Sequence, residues 1–197
     1  MGTVKYSEKK LTELILYVAD KCALDAHYGV LKLNKILFYA DFIAFASLGS
    51  PITGAVYRKY EHGPAPESMR PLKQRLEHSG TVTEWHKYLP SAYGGDGAAE
   101  KRLFARRSPE MDVFRSEEIS VVDSVIEWLR PKTGTECSRM SHRHPGWALA
   151  QPEDEIPYES ALLDPEGPRP LYGKDLEWAK RVAAEYESGN AKYEPAL

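Results

Sequence analysis

The sequence predicts a mostly helical α+β single domain, and three observations carry that reading. Residues 31–48 contain no Gly or Pro and are apolar around nearly the whole helical wheel, with Leu33, Ile36, Leu37 and Ala40 on one flank and Phe38, Phe42 and Phe45 on another. A helix of that kind must be wrapped by other elements. Ile119, Val122, Val125, Ile126 and Leu129 form a stripe of period 3.6, the pattern of a covering helix. Short β-branched and aromatic runs at residues 52–60, 81–85 and 101–106 predict a small antiparallel sheet of about three strands.

Taken in order, Ser7 can cap a first helix whose Leu11, Leu14, Ile15 and Val18 recur at helical spacing, ending near Ala23. A polar turn over residues 25–29 then folds the central helix back on the first as a hairpin. Gly49 supplies the stop for the central helix and Pro51 forbids a restart, which hands the chain to the strand at 52–60. Two prolines, Pro64 and Pro66, stiffen the following loop. A helix over 68–78 carries Leu72 and Leu76 inward, and Gly80 ends it. The Gly-rich stretch 89–100 reads as the exposed tip between two strands. Ser116 is the expected cap of the striped helix, because Glu117 and Glu118 follow in its first turn, and Pro131 stops it. Thr135 is the expected cap of a short helix over 136–140. A last helix over 175–187, with Leu176, Ala179, Val182 and Ala183 inward, completes a domain of residues 1–187 and leaves 188–197 as a flexible tail.

Composition narrows the function classes. The 197 residues are 42% hydrophobic, 28% charged and 11% aromatic, which fits a folded globular chain. A formal net charge of -3 argues against general affinity for nucleic acid or a membrane surface. Asn34, Lys35 and Asp41 interrupt the apolar helix, so it is not read as a membrane span, and the N-terminus has no apolar signal core. The two cysteines, Cys22 and Cys137, have no paired spacing, which fits a reducing cytoplasm.

The polar residues inside the apolar helix carry the next clue. Asn34 and Asp41 lie seven apart, nearly in line, and must find partners beneath the covering elements. They are either internal fasteners or the floor of a groove. Cys137, His142 and His144 are ligand types, yet their spacing matches no common metal site, and no metal or cofactor is indicated. A Cys137/His142 nucleophilic pair lacks a nucleophile elbow or an oxyanion loop around it. The plainer reading of residues 141–147 is a structural turn with Trp147 plugging the core. The basic islands Lys101, Arg102, Arg106, Arg107 and Arg139, Arg143 read as solvated faces, and direct DNA binding is not indicated.

Three blocks go further together. Leu33-Asn34-Lys35-Ile36-Leu37-Phe38-Tyr39-Ala40-Asp41, then Gly49-Ser50-Pro51-Ile52-Thr53-Gly54 with Tyr57 and Gly63-Pro64, resemble the signature of the Panacea domain, the SocA-like antitoxin family. Phe114-Arg115-Ser116-Glu117-Glu118, and Ser141-His142 followed by Trp147, are similar to its C-terminal half. The resemblance runs from about Leu11 to Leu163. It implies a bacterial or prophage protein, encoded beside a toxin, that neutralises the toxin by direct binding, as a hetero-oligomer with it or as a homodimer. The alternatives are an adaptor or phage-encoded regulator without a cognate toxin and, less favoured, an enzyme using Cys137 or the histidines. The expected contact residues are Asn34, Lys35, Tyr57, Tyr60, His62, Pro64, His142, Arg143 and Trp147, with Asn34 and Asp41 as structural polar groups.

Overall fold

The computed structural model describes residues 4–88 and 99–163. The expected helix over 175–187 and the tail 188–197 lie outside the described residues, as does most of the Gly-rich strand connection.

Ser7 caps α1 (Glu8–Lys21) as expected, its hydroxyl accepting from the Lys10 N–H at 3.2 Å. α2 (Val30–Leu48) is the buried centre: Leu33, Ile36, Leu37, Phe38, Ala40 and Phe42 are all within 1% of full burial. It ends at Gly49, whose φ of 78° closes the last turn. α1, α4 (Ser116–Leu129) and α5 (Gly134–Ser141) all pack on α2. α3 (Met69–His78) and the five-residue α6 (Pro145–Leu149) complete the α-helices among the described residues, and short 3-10 turns occupy Met111–Val113 and Tyr158–Leu163.

Among the described residues the strands form two separate two-stranded antiparallel sheets, which corrects the expected single sheet of about three. β1 (Tyr57–Arg58) pairs with β2 (Ala65–Pro66), and β3 (Val82–Tyr88) pairs with β4 (Ala99–Ala105). The strand expected over 52–60 shrinks to two residues because Asp41 of α2 captures Thr53, through both its N–H at 2.7 Å and its hydroxyl. That capture folds 52–55 against the helix and keeps it out of a ladder. The other side of β1 is lined by residues 153–156: Lys59 and Asp154, Glu153 and Lys59, and Ile156 and Tyr57 share backbone hydrogen bonds of 2.8–2.9 Å.

Two caps shift from expectation. Ser116 is the first residue of α4 and Arg115 its cap, because the Glu118 carboxylate reaches back to the Arg115 N–H at 2.9 Å and is held by Lys10 of α1 at 2.8 Å. Thr133, not Thr135, caps α5 by a reciprocal box with Glu136. Arg107 departs from the solvated-face reading, since its guanidinium grips the buried Glu13 carboxylate at 2.6 and 2.8 Å and thereby ties the end of the β3–β4 hairpin to α1.

Candidate functional site

The polar residues of α2 divide into two roles. Asp41 is a fastener: fully buried, it accepts from Thr53 and from the Tyr57 hydroxyl at 2.9 Å, with the Tyr158 hydroxyl at 3.5 Å. Burial raises its pKa above the usual carboxylate range, outweighing the donors around it. Tyr57 is correspondingly 1% exposed and sealed between Phe38 and Phe42. A side chain spent on Asp41 in the core offers nothing to a partner, which corrects its place among the expected contacts.

Asn34, two turns before Asp41, faces a different environment. It lines an open groove of about 850 Å³ between the first turns of α2 and the loop 59–63, together with Lys35, Lys59, Tyr60, Glu61, His62 and Gly63. Lys101 and Glu153 reach the rim. The Asn34 Oδ1 is buried and accepts no hydrogen bond among the described residues.

Lys35 is the unusual member, a lysine only 1% exposed that nonetheless lines the groove. Its Nζ donates to the Pro64 carbonyl at 2.8 Å, the only acceptor it has among the described residues. Desolvation lowers its pKa from 10.5 to about 7. Gly63 permits this arrangement. Its φ is 90°, and a Cβ there would overlap the Ser141 hydroxyl and come within 2.8 Å of Lys35 Nζ. Pro64 is buried and takes part through its carbonyl, so its ring is not a surface contact.

The groove's outer wall is held by α5 and α6. Ser138 donates to the His62 carbonyl at 2.8 Å, and the Trp147 indole N–H donates to the Tyr60 carbonyl at 3.3 Å. His142 stacks on Trp147 with ring centroids 4.0 Å apart, and Lys59 Nζ lies 4.2 Å from the same ring. The His142 pKa is lowered by desolvation and then by Lys35, His62 and Lys59, so it is held neutral near pH 7. Tyr60, 36% exposed, and His62 stand at the surface. Trp147 is half-buried: it packs against the edge of the core and its indole N–H braces the loop. Arg143 is exposed and is absent from the groove lining.

Cys137 is fully buried and desolvation pushes its thiol pKa up, which leaves it protonated and unlike an activated nucleophile. Among the described residues no group of three or more His, Cys, Asp or Glu is placed to hold a metal ion, and no helix is long and apolar enough to cross a membrane.

The model of the family described as antitoxin SocA-like, Panacea domain, matches residues 33–148, more than half of the chain. The chain belongs to this family. No curated protein and no solved structure matches it. The matched stretch is narrower than the expected span of Leu11 to Leu163, and it leaves out α1 and Tyr158. It contains most of the residues that line and brace the groove, from Asn34 to Trp147, and leaves out Val30 and Leu31 at the start of α2 and Pro152 and Glu153 on the far side.

Two features of the site had no separate signal in the sequence. Lys59, placed beside Trp147, was one of many surface lysines. Ser138, which seats the loop through the His62 carbonyl, reads in sequence as an ordinary helix-surface serine, and only the packing of α5 against the loop gives it this role.

Proposed function

We propose that this SocA-like protein is an antitoxin that neutralises a cognate toxin by direct protein–protein binding, and that the groove between α2 and the loop 59–63 is its contact face. The observation that carries the reading is the groove itself: within the matched family stretch, the chain holds a cationic and an amide side chain beneath an exposed loop and braces that loop from two further helices. Tyr60 and His62 would be its surface anchors, since aromatic side chains at the rim of a concave site contribute strongly to protein interfaces. The buried, protonated Cys137 supports binding over catalysis.

The reading is tested by coexpressing the chain with the product of the adjacent gene. Growth should be rescued and the two proteins should copurify. The absence of both rescue and copurification would overturn it, and partner turnover that depends on the chain would replace it with an adaptor role.

A further inference from the structure

Lys35 and Asn34 are placed side by side with their hydrogen-bonding capacity incompletely used. An ammonium has three N–H donors, and the described residues supply Lys35 with one acceptor, the Pro64 carbonyl. The neighbouring Asn34 Oδ1, buried, has no donor among the described residues. Such atoms are costly unless something completes them, and both residues line the same groove. The charged groups around the amine are mixed. Lys59, Glu61 and His62 come from the loop, and Lys101 and Glu153 stand on the rim. On the α5 side, Cys137 is protonated and His142 is held neutral. No carboxylate is bonded to Lys35 among the described residues, so the position of its counter-charge is open to a ligand.

We propose that the groove is a socket for an acidic side chain of the protein partner, whose carboxylate pairs with Lys35 while a backbone N–H of the same segment donates to Asn34 Oδ1. The proposal rests on the antitoxin reading for the identity of the partner, and on the geometry alone for the chemistry. A volume of about 850 Å³ accommodates several residues, which fits a segment passing through. A carboxylate offsets the desolvation that burial imposes on the ammonium, which a neutral group cannot do. Binding therefore takes up a proton when Lys35 begins neutral, and it is stronger at pH 6 than at pH 9.

The test needs no toxin. In the full-length protein, the Lys35 Cε resonance is followed through a pH titration alone and with three probes: N-acetyl-glutamate N-methylamide, its glutamine analogue, and N-acetyl-alanine, which carries a free chain-terminal carboxylate. The glutamate probe should raise the Lys35 midpoint, perturb the Asn34 side-chain amide and bind at least about tenfold more tightly than the glutamine probe. Lys35→Met should abolish that preference. If Lys35→Met does not fold, Asn34→Asp, which adds a competing carboxylate at the socket, should abolish it instead. An unmoved Lys35 midpoint, equal binding of the glutamate and glutamine probes, or a preference for N-acetyl-alanine each overturns the acidic side-chain socket. Because the probes are small molecules, failure here leaves the coexpression result standing, and failed copurification leaves the socket standing.

Discussion

Lys35 and Pro64, 29 residues apart in sequence, are joined by a 2.8 Å hydrogen bond from a buried ammonium to a backbone carbonyl. This bond ties the central helix to the loop that forms the outer wall of the groove. It makes Asn34-Lys35 and Gly63-Pro64, two motifs read separately in the sequence, one physical unit.

The burial of Lys35 should be visible as a pH dependence of stability. Its folded pKa of about 7 lies below the ordinary 10.5, so between those values the unfolded chain binds the extra proton and stability rises with pH. The penalty is fully present below pH 7 and is relieved on the way to 10.5. Denaturant unfolding of the wild type and Lys35→Met at pH 6 and pH 9.5 should show the difference moving in the wild type's favour by about 2 kcal/mol or more. A constant difference would mean that Lys35 keeps its ordinary pKa.

Gly63→Ala should destabilise the fold by about 2 kcal/mol or more, since it combines a φ of 90° with a Cβ pressed on Ser141 and Lys35. Gly80→Ala is the control. Gly80 has a φ of 71° but open space around the Cβ position, so it should show the backbone cost alone. Equal losses in thermal melts would refute the packing part of the explanation.

Asp41→Ala should cost about 3 kcal/mol or more, because it strands Thr53 and Tyr57 in the core. Asp41 also acts on pH in the opposite sense to Lys35. Its folded pKa is raised, so the stability associated with it is fully present below the unfolded value of 3.8 and is lost as pH rises through the folded pKa. Asp41→Asn should therefore flatten that decline in pH-dependent unfolding, and an unchanged profile would contradict it.

Much of the fold was legible because it is written in periodicity. The all-round apolar pattern of α2, the Gly49 stop and the stripe of α4 each follow from local chemistry. Strand pairing was not legible, since nothing in residues 52–60 announces that Asp41 will pull Thr53 onto the helix and leave two residues to pair. The candidate site was legible in part. Asn34, Lys35, His62, Pro64, His142 and Trp147 do converge, whereas Tyr57 and Tyr60, both tyrosines three residues apart, look alike in sequence. Only the fold shows that Tyr57, in β1, turns toward Asp41 while Tyr60, in the loop after it, stays at the surface.

Under the proposed antitoxin role, Cys137→Ala should leave growth rescue unchanged while costing about 1 kcal/mol of stability, as expected of a buried thiol whose role is packing. Growth rescue by this variant at normal protein levels checks the point. Loss of rescue with the protein still folded would reopen a catalytic role.

The most direct test of the groove as the proposed contact face is the dissociation constant for this protein and the product of the adjacent gene, measured for the wild type and for Tyr60→Ala. Tyr60 stands at the groove rim, and its side chain is one-third exposed. The account predicts at least tenfold weaker binding with a melting temperature within about 2 °C of the wild type. Unchanged affinity in a folded Tyr60→Ala variant would place the partner on another face and contradict it.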